Sequence, residues 1–140
     1  MADLQAEGKQ LSKAEIEHVH RTKTGALIRA SVVIGGLMAD PPKQEIEILG
    51  QFGDKIGLAF QIVDDILDLE GDEELLGKPV GSDLKNSKAT YPAVVGVEQA
   101  KIDARRLIDE AIRLLEMYDS GAKRPPHLIE LARFVGERAY

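Results

Sequence analysis

One stretch, residues 57–68, constrains the fold more than any other part of this 140-residue chain. Outside one polar arc, nearly every position from Phe52 to Leu69 is apolar, and Lys55 is the main exception. At 100° per residue, the polar and glycine positions of this region instead share one arc about 100° wide. They are Asp54, Gly57, Gln61, Asp64, Asp65, Asp68 and Asp72. A helix that is apolar on most sides belongs inside a bundle, so its polar arc must face solvent or an internal polar cavity.

Asp64, Asp65 and Asp68 place three carboxylates on that arc. Like charges one turn apart repel each other by about 0.2–0.5 kcal/mol, and by more where the dielectric is low, so the group favours nearby cations. Oxygen ligands about 6 Å apart along the helix axis suit Mg²⁺, which proteins hold through one or two carboxylates together with water and substrate phosphates. A solvated acidic face is the alternative. The apolar surroundings favour a metal site.

The composition is that of a globular domain, with 44% hydrophobic and 30% charged residues. A net charge of −6, no tryptophan and few aromatic residues disfavour nucleic-acid binding. The absence of cysteine excludes disulfides and thiolate metal sites. The sequence contains neither a signal peptide nor an apolar run long enough to span a membrane, so a cytoplasmic location is expected.

Apolar residues recur at helical spacing, with no strand pattern, and predict an all-α helical bundle. Helices are expected at about Lys13–Met38, Lys43–Glu70 and Glu98–Asp119, after Pro125-Pro126 and from Thr90-Tyr91-Pro92, with one turn at Glu73–Leu76. Ser12 and Glu15 have the spacing of a capping box. The first helix should turn a stripe inward: Ile16, Val19, Ala26, Leu27, Ala30, Val33, Ile34 and Leu37. The glycines inside the second helix, Gly50, Gly53 and Gly57, indicate a close backbone approach or an open cavity.

Lys23 lies in the middle of the apolar stripe predicted for the first helix, with Thr24 next to it. Such a lysine either extends along the surface to solvent or binds an anion inside the protein. His18 and His20 diverge around the helix, so both are interpreted as ordinary residues. A glycine-rich segment from Gly71 to Lys88 carries Lys78, Lys85 and Lys88, and it is either a solvated basic loop or an anion clamp. Mg²⁺ and lysines together would hold a polyanion such as diphosphate.

Three motifs in these regions resemble the trans-isoprenyl (polyprenyl) diphosphate synthases, particularly the bacterial farnesyl or geranyl diphosphate synthase type. Residues 57–68, GLAFQIVDDILD, are similar to the second aspartate-rich motif (DDxxD) of that family. Residues 23–28, KTGALI, resemble its KT motif. Residues 77–83, GKPVGSD, and 88–92, KATYP, resemble its following loop. The resemblance implies that residues 1–140 are the second half of a polyprenyl synthetase domain with the isoprenoid synthase fold.

The resemblance also implies an activity and assigns roles to residues. In this family an allylic diphosphate ionises with the help of Mg²⁺, the double bond of isopentenyl diphosphate attacks the carbocation, and a proton is lost. Asp64 would bind Mg²⁺ directly, while Asp65 and Asp68 would hold the water molecules of the metal. Lys23, Lys78 and Lys88 would contact the leaving diphosphate. Thr24 and Gln61 would stabilise positive charge on the isoprenoid carbon.

The chain also departs from the family, whose members are about twice as long and carry a first DDxxD motif. Adjacent aspartates occur here only at Asp64 and Asp65. The chain is therefore expected to need its N-terminal half for activity and to cover its exposed apolar surface with that half or by self-association. The alternatives are a noncatalytic subunit or helical interaction module derived from such a synthase and, less favoured by the KT motif, a terpene cyclase fragment.

Overall fold

The computed structural model describes residues 11–76, 89–117 and 126–138, with side chains up to Gly71 in the first range. These residues form helices and no strand, which confirms the all-α prediction. The helices are α1 (Lys13–His20), a π-helical segment (Arg21–Gly25), α2 (Ala26–Leu37), α3 (Lys43–Leu76), α4 (Tyr91–Val95), α5 (Val97–Met117) and α6 (Pro126–Glu137). Within the described ranges, no helix combines the length and apolar character that crossing a membrane requires.

Local sequence signals set the helix starts. The capping box predicted for α1 is present: the Ser12 hydroxyl accepts from the amide of Glu15, and the Glu15 carboxylate accepts from the amide of Ser12. Thr90 caps α4 by accepting from the amide of Ala93, with a proline in the first turn. α3 extends past the predicted Glu70 to Leu76, because the single turn predicted at Glu73–Leu76 continues the same helix.

α3 is the central helix, as its sequence predicted. It packs against α2 and α5 most extensively and also contacts α1, α4 and α6. Its fully buried side chains are Phe52, Ile56, Leu58, Ala59, Ile62, Val63 and Ile66. Each large side chain of this kind stabilises the fold by roughly 1.5–3 kcal/mol relative to an exposed one. Lys55, the polar exception on this helix, reaches Glu110 of α5 at 2.6 Å.

Glycines let α2 and α3 approach each other closely, as the sequence indicated. A Cβ atom added at Gly53 would lie 2.7 Å from the Cα atom of Arg29. A Cβ atom added at Gly57 would lie 2.8 Å from the Cα atom of Gly25. Real Cβ atoms do not approach backbone this closely, so a side chain at either position would push the two helices apart.

The predicted inward stripe of the first helix is wrong for α2. Leu27, Ile34 and Leu37 are 56–68% exposed, and Ala26 and Ala30 are exposed as well. The π-helical segment breaks the helical register between the two halves, so Ile16 is buried while Leu27 is not. The face of α2 that packs on α3 instead carries Ile28 and Val32.

Candidate functional site

The polar arc of α3 forms a carboxylate face, defined here as Gln61, Asp64, Asp65 and Asp68. Gln61, Asp64 and Asp65 are partly buried, and Asp68 is exposed. The positions that flank them on the helix, such as Ile62, Val63 and Ile66, are fully buried. The structure therefore confirms that a narrow polar face opens from an otherwise enclosed helix.

Lys23 and Thr24 lie in the π-helical segment rather than in a continuous α-helix. Lys23 leaves helical geometry with φ −99° and ψ −113°. The Thr22 hydroxyl lies within hydrogen-bonding distance of two preceding backbone carbonyls, at 2.9 and 3.2 Å. A continuous helical wheel therefore misplaced Lys23, whose side chain is exposed, and Thr24 is partly buried.

Two contacts place Lys23 and Thr24 alongside the carboxylate face. Gly25 touches Gly57 through backbone, and His20 meets Asp65 with 3.0 Å between Nε2 and Oδ2. The π-helical segment therefore runs antiparallel to α3 along residues 57–65, a length of about 12 Å, and Gln61 lies midway. The structure thus brings the KT motif and the carboxylate face together.

Asp65 differs from its neighbours because the protein holds one of its oxygens. Oδ2 accepts from the backbone amide of Tyr91 at 2.7 Å and from the His20 ring at 3.0 Å. A carboxylate only accepts hydrogen bonds, so Nε2 of His20 is the protonated nitrogen. The interpretation of His20 as an ordinary residue was wrong, because its side chain is buried and bound to the carboxylate face.

Behind Asp65 lies a buried polar cluster that sequence reasoning missed, centred on Tyr91. The Tyr91 ring is fully buried, and its hydroxyl lies 2.9 Å from Asp103 and 3.2 Å from Glu17. Asp103 also accepts from Lys13 at 2.7 Å and from Gln99 at 3.2 Å. These bonds fix α4 against α1 and α5.

Burial and hydrogen bonding shift the pKa values in this cluster in opposite directions. Burial, followed by the hydrogen bond and charge of Asp103, raises the pKa of Tyr91 far above its ordinary value, so the phenol keeps its proton. Burial alone would raise the pKa of Asp103, but hydrogen bonds from Lys13, Tyr91 and Gln99 outweigh it and lower the pKa. Asp103 is therefore an ionised, fully paired carboxylate.

One sequence signal pointed to this cluster. Asp103 lies three residues after Ala100 and four before Leu107, at the edge of the buried face of α5. A carboxylate at such a position needs partners. Its partners Lys13 and Tyr91 are 90 and 12 residues away in sequence, so no local pattern identifies them.

The donors of the carboxylate face suit Mg²⁺. Among the described residues, no three acidic or histidine side chains converge into a complete metal cage. That finding is compatible with Mg²⁺, which commonly uses one or two carboxylates and completes its shell with water and phosphate. Asp64 and Asp68 are one turn apart on the partly open face and supply oxygen donors of this kind. The predicted diphosphate ligands Lys78 and Lys88 lie outside the described residues.

Comparison with known proteins agrees with the motifs. Residues 1–124 match the family model of the polyprenyl synthetases. The chain is 44% identical over 137 residues to farnesyl diphosphate synthase of Escherichia coli, covering 97% of this chain and 46% of that protein. It is 42% identical to geranylgeranyl diphosphate synthase of Cyanophora paradoxa, over 97% of this chain and 45% of that protein. The chain thus spans about half the length of the curated relatives it matches.

The fold agrees as well. The crystal structure of geranyltransferase from Helicobacter pylori, complexed with magnesium and isoprenyl diphosphate, superposes with a TM-score of 0.70 and 30% identity. The match covers 95% of this chain and 43% of that one. The three motifs, the helical architecture and these matches lead to one conclusion: the chain belongs to the polyprenyl synthetase family.

Proposed function

We propose that this chain is one half of a prenyltransferase that condenses an allylic diphosphate with isopentenyl diphosphate, as in farnesyl or geranyl diphosphate synthesis. The observation that carries this proposal is the pair of contacts that bracket Lys23 and Thr24 against the carboxylate face. They set the segment that carries Lys23 alongside the turns of α3 that carry the carboxylates, and this supports a shared site for a lysine and several carboxylates. That combination suits a metal-bound diphosphate, because the metal links the carboxylates to the phosphates and the lysine offsets the remaining negative charge.

The residues of the site divide into three roles in this proposal. Asp64 would hold Mg²⁺ directly, and Asp68 and Oδ1 of Asp65 would hold the water molecules of the metal. Lys23, together with Lys78 and Lys88, contacts the leaving diphosphate. Thr24 and Gln61 direct oxygen atoms towards the positive charge that develops on the isoprenoid carbon.

Mg²⁺ would neutralise the diphosphate and so make it a better leaving group. The H. pylori geranyltransferase, which shares this fold, was crystallised with magnesium and isoprenyl diphosphate, and this supports the assignment. The partly open face of α3 also leaves room for waters and phosphate oxygens around Asp64 and Asp68. The family-wide use of isoprenoid diphosphates extends to this chain as part of the proposal. A cytoplasmic location stays a prediction from the sequence.

The exposed apolar side of α2 is the surface through which the chain meets its missing half. Leu27, Ile34, Leu37 and Met38 are 68%, 61%, 56% and 84% exposed and lie along α2 and its C-cap. Contiguous apolar surface of this kind marks an interaction site. We propose that residues 1–140 are the second half of the synthase domain and that an N-terminal half, or a second copy of this chain, covers this side of α2.

Complementation tests this function. The chain is mixed with the part of the E. coli farnesyl diphosphate synthase that it does not match, and geranyl diphosphate, isopentenyl diphosphate and Mg²⁺ are added. Product should form in the mixture and not with the chain alone. Asp64→Asn should abolish product, while Asp109→Asn, an exposed aspartate of α5, should not.

A second candidate function is a noncatalytic subunit or helical interaction module, and the exposed apolar side of α2 favours it. This second function predicts a different result for the complementation assay. The two chains would associate, with α2 at their interface, but the assembled pair would give no product. Association without turnover would therefore replace the first proposal with the second.

A further inference from the structure

A series of hydrogen bonds centred on Tyr91 connects four helices. It starts at Lys13 of α1, passes through Asp103 of α5 and Tyr91 of α4 to Asp65 of α3, and returns to α1 at His20. The rings of His20 and Tyr91 stack with 6.4 Å between centroids and a 25° interplanar angle. The ammonium of Lys13 lies 6.0 Å from the Tyr91 ring centroid.

These hydrogen bonds hold the Asp65 side chain in place. The backbone amide of Tyr91 and the ring of His20 both donate to the same oxygen, Oδ2. Tyr91 is fully buried and His20 is 6% exposed, so neither donor has room to change its position. Within the described residues, neither Asp64 nor Asp68 has a comparable bond to the protein. One carboxylate of the face is therefore fixed by the fold, and the other two are not.

We propose that His20 and Tyr91 are positioning residues for Asp65. They fix Oδ2 and thereby aim Oδ1 at the ligand that the carboxylate face binds. This inference rests on the proposed function for the identity of that ligand, a diphosphate with Mg²⁺. Partners that orient a carboxylate of a metal site typically change metal affinity 10–100-fold when they are removed.

The hydrogen bond between Asp65 and Tyr91 is tested first, in the metal-free chain, so that the result does not depend on the proposed ligand. Hydrogen exchange of the Tyr91 amide is measured in Asp65→Ala, Asp65→Asn and Asp64→Ala. Asp65→Ala should speed exchange by about tenfold or more. Asp65→Asn keeps an acceptor oxygen and should preserve protection. Asp64→Ala should not change the exchange rate of the Tyr91 amide.

Equal exchange in the two alanine variants would overturn the inference, and so would faster exchange in Asp65→Asn. If Asp65→Ala does not fold, the Asp65→Asn result and the histidine variants decide the matter.

The effect on the ligand is tested with inorganic pyrophosphate and Mg²⁺ by titration calorimetry. His20→Leu should weaken binding by about tenfold or more. His20→Gln retains a donor at the same reach and should recover most of the affinity. His18→Leu, an exposed histidine on the same helix, is the matched control and should bind like the parent chain.

The melting temperature of each unliganded variant separates positioning from a structural role. The inference requires His20→Leu and His20→Gln to differ in pyrophosphate affinity by more than their melting temperatures explain. Equal affinity in His20→Leu and His18→Leu would overturn it. If the parent chain bound no pyrophosphate with Mg²⁺, the ligand part of this inference would fail. The complementation assay would still judge the proposed function, and the exchange result would still judge the bond between Asp65 and Tyr91.

Discussion

The buried polar cluster around Tyr91 and the carboxylate face both contain aspartates, but the surroundings of these aspartates are opposite. Asp103 is 3% exposed and accepts hydrogen bonds from Lys13, Tyr91 and Gln99. On the carboxylate face, Asp64 and Asp68 lie one turn apart on the open side of α3, and within the described residues neither forms a hydrogen bond or ion pair.

The difference separates a structural role from a binding role. A buried carboxylate whose oxygens are all satisfied contributes to the stability of the fold, and removing it leaves its partners without an acceptor. Carboxylates that repel each other on an open face cost a little stability. Such a cost is expected where a ligand supplies the missing cations. Asp65 combines both roles, because one of its oxygens is held by the fold.

The largest effect is expected at Asp103. Asp103→Ala should lower the free energy of unfolding by about 2–3 kcal/mol, because the buried Tyr91 hydroxyl and Lys13 lose an acceptor. The loss is smaller than for a fully buried ion pair, since the side chain of Lys13 is 44% exposed and regains water. Urea denaturation measures the change. Asp109→Ala, an exposed aspartate of the same helix, should change stability by less than about 0.5 kcal/mol. Equal losses in the two variants would contradict this assignment.

The close approach beside the carboxylate face gives the next effect. Gly57→Ala should destabilise the chain by about 1–3 kcal/mol, because the new Cβ atom would lie 2.8 Å from backbone of Gly25 and the segments would have to separate. Gly35→Ala is the control: nothing lies within 4 Å of its Cβ position, so it should stabilise the chain by about 0.5–1 kcal/mol. Thermal or urea unfolding distinguishes the two outcomes, and a stabilising Gly57→Ala would refute the contact.

Acid should weaken the fold through its paired carboxylates. Hydrogen bonds lower the pKa of Asp103 despite burial, and the hydrogen bond from Lys55 lowers the pKa of Glu110. A carboxylate with a lowered pKa stabilises the fold at pH values above its ordinary pKa, which is 3.8 for Asp103 and 4.5 for Glu110. This contribution is lost as the pH falls through the pKa of the folded state. The effect is smaller than that of Asp103→Ala because a protonated carboxyl group still accepts hydrogen bonds.

Urea titrations at a series of pH values below about 5 measure this dependence. Stability should fall as the pH is lowered through this range, and Asp103→Ala should show a shallower dependence than the parent chain. A parallel dependence in the two proteins would show that Asp103 does not contribute to it.

The smallest effect on stability is expected on the carboxylate face. Asp64→Asn should raise the free energy of unfolding by up to about 0.5 kcal/mol, since it removes like-charge repulsion with Asp68. The same variant should lose Mg²⁺-dependent binding of pyrophosphate. Stability from urea denaturation and affinity from calorimetry should thus move in opposite directions. A variant that loses both together would place Asp64 with the structural carboxylates.

Patterns within a single helix could be predicted from the sequence. The Ser12 capping box, the start of α4 at Thr90 and the central position of α3 follow from residues three or four apart, whose geometry is fixed once a helix forms. The grouping of Asp64, Asp65 and Asp68 on one face follows in the same way. The close approach at Gly57 was also indicated, because glycine inside a helix needs a packing reason.

What the sequence alone determined was therefore the all-α class, most helix boundaries and the composition of the carboxylate face. The tertiary structure decided which side of α2 packs, where the helical register breaks at Lys23, and that His20, Tyr91 and Asp103 support Asp65. The physical reason is distance along the chain. His20 and Asp65 are 45 residues apart, and Lys13 and Asp103 are 90 apart. Such partners meet only when the helices pack, and helical periodicity does not encode which helix will lie against which.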